Sequence, residues 1–257
     1  MGKLENILHS AQICPLGEAA VQVYFGDKID PDILKCVRTL TEALEANPLP
    51  GFKEVEGAYT GVAVFYDPLP LMNLPTIEKD SALPHGFQVV KEHITKILSN
   101  IQLGTDDATR LVRIPVCYGG DYGPDLEYVA QYHQMSPQEV ITLHTSGHYL
   151  VYMIGFAPGF PYVGGLPPEI ATPRRSTPRT AIPKGSVGIA GSQTGAYPLE
   201  TPGGWQLIGR TPLPLFKPQD EEHPSVLQAG DNLEFYAITP EEYTAYLAKE
   251  EGAAHDA

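Results

Sequence analysis

The order of apolar and polar positions divides the chain into two halves with different periods. Residues 19–25 (AAVQVYF) read as a strand. Asp30 then stands at an N-cap position with Pro31 in the first helical turn, and Ile33, Val37, Leu40 and Leu44 follow at helical spacing until Asn47-Pro48 ends the run. Residues 52–56 and 61–66 read as two further strands joined through Gly57. Residues 86–98 form a second helix with Phe87, Val90, Ile94, Ile97 and Leu98 on one face. The order β-α-β-β-α, closed by another strand, predicts a split βαβ, ferredoxin-like layer. No chemistry stands out in it, so a scaffold or docking role is the plain expectation.

Residues 68–84 are proline-rich and aperiodic, a linker over the surface. Residues 109–118 (TRLVRIPVCY) alternate and open a second domain; 124–132 make a short amphipathic helix. Ser136-Pro137-Gln138-Glu139 is a capping box with Met135 and Val140 placed as its hydrophobic staple, and that helix runs to about His144 and stops at Gly147. A buried strand over 148–156 and short strands at 186–190, 205–208 and 232–238, with turn signals between them, predict a closed β-barrel. Residues 241–257 are an acidic tail, helical at first. The expected class is α+β in two domains, 1–104 and 105–257.

Between residues 155 and 216 lie 11 of the 25 glycines and 11 of the 25 prolines, with five basic residues against two acidic ones. The formal charge of the whole is −14, so the rest carries 12 basic and 29 acidic residues. The net-positive surface is therefore expected in this stretch. Its Phe, Tyr, Val, Ile and Trp argue for ordered loops and short strands of unusual φ/ψ, the kind of loop that carries function. The acidic charge disfavours nucleic acid and anionic membrane as partners. No apolar run approaches twenty residues, MGKLENILHS lacks a signal-peptide pattern, and three scattered cysteines fit reduced thiols, so a cytoplasmic location is expected.

Candidate chemistry gathers in the same stretch. Lys184, Gly185 and Ser186 open a glycine-rich run that matches neither a P-loop nor a dinucleotide fingerprint. It is a strand with close backbone approaches or an anion-binding nest. Arg174, Arg175 and Arg179 lie in TPRRSTPRT, where prolines pre-set the backbone and guanidinium forks suit carboxylate or phosphate; solvated pairing with the acidic surface is the plainer alternative. Gln193, Thr194, Tyr197, Gly203 and Gly204 add amide, hydroxyl and aromatic groups beside flexible backbone. His144, at a helix end leading into the loops, is the acid/base candidate, though the helix dipole alone also favours histidine there. His148 is four residues on, but Gly147 breaks the helix between them and no third ligand is evident, so no metal site is expected.

The runs GFAPGFPYVGGL, PRRSTPRTAIPKGSVGIAGSQTGAYP and TPGGWQLIGRTPLPLF resemble the allophanate hydrolase subunit 1 family, whose members are also called B-type subunits of 5-oxoprolinase and KipI, an inhibitor of a sporulation histidine kinase. The likeness is strong from residue 114 to 235, weak up to about 67 and absent in the linker. It implies a cyclophilin-like barrel. It also implies ATP-dependent opening of 5-oxoproline to glutamate, with Mg²⁺ accompanying the nucleotide. The implied partners are a related C-type component of 5-oxoprolinase and a hydrolytic protein of the A type. Family members generally share a histidine at the His144 position, and Ala196 stands where the family usually has Ile, a change that could enlarge a pocket. The KipI name implies a different function, inhibition of a histidine kinase through Phe156, Phe160, Tyr162 and the proline-rich loops, and a homo-oligomer is a further possibility. Prolyl isomerase activity is the weakest reading, since fold likeness does not carry activity.

Overall fold

A computed structural model describes residues 2–76, 83–101 and 110–255, with side chains up to Lys249. The chain separates into two compact units, residues 1–108 and 109–257. The boundary expected at 104/105 falls within 102–109, outside the described residues. We propose that the two units are separable there: subtilisin digestion is expected to leave two resistant fragments meeting between residues 100 and 109. One resistant fragment spanning that stretch refutes it.

The first unit comprises α1 (Lys3–His9), β1 (Gln12–Pro15), β2 (Ala20–Tyr24), α2 (Pro31–Ala46), β3 (Phe52–Ala58), β4 (Gly61–Tyr66) and α3 (His85–Asn100). Helix α2 starts where the sequence places it: the Asp30 carboxylate accepts from the Asp32 N–H at 2.7 Å and Pro31 occupies the first turn. Its apolar stripe, with Phe87, Val90 and Ile94 of α3, buries Val21, Val23, Val55, Val62 and Val64 of the sheet. The strand order is β1-β2-β4-β3, antiparallel throughout.

Two expectations change here. A ferredoxin-like layer needs a closing strand after the second helix, but among the described residues the edge beside β2 is held by β1, from the start of the chain. The β1–β2 connection is a short hairpin, with Gly17 at φ +69 and Leu16 N–H donating to Ala20 O at 2.9 Å. Such a local closure costs little loop entropy. Gly57 does not join β3 to β4 either. It lies within β3 under α2, where a Cβ would stand 2.9 Å from Val37 Cγ1, and the turn falls at Tyr59 and Thr60.

The second unit contains β5 (Leu111–Tyr118), α4 (Leu126–Tyr132), α5 (Pro137–Ser146), β6 (Tyr149–Ile154), β7 (Pro161–Gly164), β8 (Arg179–Ile182), β9 (Ser186–Ala190), β10 (Gln193–Ala196), β11 (Thr201–Gly203), β12 (Gln206–Arg210), β13 (Asn232–Ile238) and α6 (Pro240–His255). Seven strands close a barrel in the order β10-β7-β6-β13-β5-β12-β9, with β9 paired back to β10, while β8 and β11 form a separate ribbon. Every pairing is antiparallel except β13 with β5. The barrel core holds Ile114, Val116, Val151, Val163, Val187, Ile189, Ile208 and Phe235, with Leu126, Val129 and Val140 of α4 and α5 packed into it. The Ser136–Glu139 capping box starts α5 as expected. A second cluster of Phe160, Ile182, Ala190, Tyr197, Trp205 and Leu207 underlies the Gly/Pro loops. Among the described residues no helix is long and apolar enough to cross a membrane.

Candidate functional site

The loops are organised by a residue that no local sequence pattern marks, Asp125. Gly123 lies so close to β12 that a Cβ would stand 2.0 Å from Ile208 O, so only glycine lets the chain enter α4 there. That approach lets Asp125 N–H donate to Leu207 O at 2.8 Å while its carboxylate accepts from Leu207 N–H at 2.7 Å. The same carboxylate receives Arg179 in a two-pronged contact, Nη1 at 2.8 Å and Nη2 at 2.9 Å, and Arg175 Nη1 at 2.9 Å. Its side chain is 5% exposed, against 36% for Arg175 and 23% for Arg179. Four donors match the four lone-pair sites of a carboxylate, so Asp125 has no capacity left for a metal or substrate. The three groups together carry one net positive charge.

Two of the three arginines expected to capture an anion are thus engaged with Asp125. Arg175 N–H also donates to Gly204 O at 2.7 Å, which ties the 173–179 loop to the turn between β11 and β12. Arg174 and Lys184 are both exposed, and neither forms an ion pair among the described residues.

The glycine turn is not an anion nest. Gly185 has φ +81, and its N–H donates to Tyr197 O at 2.7 Å, while Ser186 N–H donates to Pro183 O at 3.1 Å. These donors are spent inside the fold. The Ser186 hydroxyl is buried without a hydrogen-bond partner. Gln193 is half-buried opposite Ala190 in the β9–β10 hairpin. Gly203 has no room for a side chain, because Ile182 Cδ1 and the Tyr197 hydroxyl would stand 2.6 and 2.7 Å from its Cβ. Tyr197 is itself buried, and desolvation pushes its phenol up to about 12.

His144 and Thr194 lie inside the barrel, not at the loops. Thr194 Oγ donates to Gly188 O at 3.0 Å, so it accepts from His144 Nε2–H at 2.9 Å. This leaves His144 Nδ1 to accept from the Tyr118 hydroxyl at 2.7 Å. The ring has no exposed surface and packs 4.6 Å, centroid to centroid, from Phe235. Burial lowers its pKa to about 3. A second ring proton would also displace the Tyr118 donor. The expected acid/base group is therefore a neutral core histidine, and the helix-dipole reading fails for the same reason. Ala196 likewise faces the barrel core beside Val187 and enlarges no open pocket.

The aromatic residues of the loops divide by exposure. Phe160 is buried, with edge-to-face contacts to Tyr162, Tyr197 and Trp205 at 5.3, 5.1 and 5.5 Å; Tyr162 is half-buried. Phe156 is 65% exposed and held at φ +69. Among the described residues no three His, Cys, Asp or Glu side chains are grouped to hold a metal. With the glycine N–H groups and Asp125 already occupied, these residues do not by themselves fit a metal-nucleotide complex.

A family model for the carboxyltransferase domain, subdomains C and D, matches residues 11–227. The B-type subunit of 5-oxoprolinase from Bacillus subtilis is 49% identical over 239 residues, 91% of this chain and 96% of that protein. Its counterpart of the same name from Haemophilus influenzae is 48% identical over 149 residues, 58% of this chain and 69% of that one. In the solved structure of TTHA0988, a matching fold has a TM-score of 0.71 at 31% identity over 85% of this chain, which spans only 40% of that longer polypeptide.

Proposed function

The chain belongs to the carboxyltransferase subdomain C and D family, among the B-type 5-oxoprolinase subunits, and from that membership we propose that it is one component of an ATP-dependent 5-oxoprolinase. The observation that carries this reading is the 49% identity to the Bacillus subtilis protein over nearly the full length of both. The assembled enzyme opens the lactam of 5-oxoproline to glutamate at the expense of ATP. This chain lacks a full set of nucleophile, base and metal ligands among its described residues, so no chemical step and no Mg²⁺ contact is assigned to it. Its contribution is electrostatic. The Asp125–Arg175–Arg179 clamp fixes the loop that carries Arg174, and Lys184 precedes the turn anchored on Tyr197. Together they offer a carboxylate or phosphate a positive rim on an otherwise acidic chain. A related C-type component and a hydrolytic protein of the A type complete the site.

The test is ATP hydrolysis dependent on 5-oxoproline. The purified chain alone is expected to be silent, and addition of both companion proteins to give turnover. Losing a charged hydrogen bond worth about 1.5–3 kcal/mol lowers kcat/KM by about tenfold or more, so Arg174→Ala and Lys184→Ala should each weaken the reconstituted enzyme to that extent. Robust turnover by the chain alone overturns the division of labour, and unchanged activity in both variants removes the rim. Silence in every combination with tight binding to a histidine kinase favours the inhibitor instead.

A further inference from the structure

We propose that Arg210, on the outer wall of the barrel, forms with the Ser186 hydroxyl the seat for the carboxylate of 5-oxoproline. The inference rests on the 5-oxoprolinase reading and adds to it the groups that hold the substrate. Arg210 is half-buried and forms no ion pair among the described residues. Its Nε is buried without a hydrogen-bond partner. A guanidinium withdrawn from water with no acid beside it gains strongly from an incoming anion.

The strand register puts a second free donor next to it. Ser186 of β9 lies directly opposite Arg210 of β12, and residues so opposed project from the same face of the sheet. Val187 and Ile189 line the barrel core, so that shared face is the outer one. The Ser186 side chain has no exposed surface, and its hydroxyl is also unpartnered. Gly185, at φ +81, holds the preceding turn against β12: its carbonyl accepts from Thr211 N–H at 2.8 Å, and a Cβ there would stand 3.3 Å from Arg210 Cγ. On its other side Arg210 is opposite Cys117 of β5. There the Tyr243 ring of α6 lies 4.7 Å from that of Tyr122, and its phenol is pushed up by burial and down by Arg210 beside it. Native folds leave few buried polar groups unpaired, and two on neighbouring residues of one face point to a ligand.

Charge and donor count select a carboxylate. One guanidinium and one hydroxyl supply a single positive charge and donors for two oxygens, the planar pair that arginine recognises. A triphosphate carries more charge and more oxygens than these two groups satisfy. The carboxylate of 5-oxoproline takes no part in the lactam bond that opens, so it is free to serve as the handle of the substrate.

The test uses the full chain reconstituted with both companion proteins. Arg210→Gln is expected to raise KM for 5-oxoproline about 30-fold and to leave KM for ATP within about twofold. Arg210→Lys should recover part of that loss, as a cation without the fork. Ser186→Ala should raise the same KM about threefold to tenfold at a Tm no lower than the parent's, because no partner in the fold loses a bond. The carboxamide of 5-oxoproline, measured as a competitor, should bind the parent about tenfold more weakly than 5-oxoproline, and Arg210→Gln should erase that preference. A general loosening of the fold lowers activity without erasing it. Parental KM and parental discrimination in Arg210→Gln overturn the seat and leave the 5-oxoprolinase reading standing. A rise in KM for ATP alone assigns Arg210 to the nucleotide and overturns the seat too. A parent complex without turnover ends both readings.

Discussion

Asp125→Ala is expected to destabilise the second unit by about 3 kcal/mol, because breaking a buried ion pair by removing one partner leaves the other charge uncompensated. The low end of the roughly 3–5 kcal/mol range applies, since Arg175 and Arg179 keep partial access to water that offsets some of the loss. The Leu207 N–H, which donates to the same carboxylate, is orphaned as well. For a unit of this size that corresponds to a fall in Tm of about 6–12 °C. Arg179→Ala should cost less, as Asp125 would retain Arg175 and the Leu207 N–H. Urea unfolding of the three proteins at one pH checks the order. An Asp125→Ala protein within about 1 kcal/mol of the parent shows that the clamp does not hold the loops.

The second expectation concerns acid. His144 has a pKa near 3 in the fold, against an ordinary value of 6.5, because its ring is wholly buried. Its folded pKa is depressed, so the unfolded chain takes up the proton first as pH falls. The stability it contributes is complete above pH 6.5 and is lost progressively between 6.5 and 3. At about 1.36 kcal/mol per pKa unit the loss reaches about 2 kcal/mol by about pH 5. His144→Gln should be less stable than the parent at about pH 7, since Tyr118 and Thr194 lose their shared partner, yet flatter between about pH 7 and 5 by about 2 kcal/mol. Parallel stability curves for the two proteins would show that the ring is protonated in the fold.

Local signals are legible in the sequence, and distant pairings are not. Asp30-Pro31 and Ser136–Glu139 mark the starts of α2 and α5 because a cap is written in adjacent residues. The density of glycine and proline locates the loop region for the same reason. Asp125 stays hidden because its role depends on Arg175 and Arg179, fifty or more positions away, and no pattern in the adjacent residues records that pairing. His144 is misplaced by its spacing, which does not show that α5 packs its last turn into the barrel, where Thr194 meets it. In the first unit, the short α1 and β1 carry too few periodic positions to stand out in residues 1–15, so the edge strand is expected after α3 instead. The net-positive character of the loops is legible, but their charge is partly consumed by a carboxylate from outside them.

The single parallel pairing of the barrel has a consequence for synthesis. Strand β5 is the first of its unit and β13 the last, and the two lie side by side from Leu111 opposite Asn232 to Cys117 opposite Ile238. On the ribosome the other five barrel strands emerge while the seam between these two is still open, exposing an unpaired edge. Closure waits for the last strand and spans more than a hundred residues of intervening chain, an entropic cost that precedes any gain from the pairing. A nascent chain stalled before Asn232 is therefore an incomplete cylinder with two sticky edges, vulnerable to aggregation until its final strand is released.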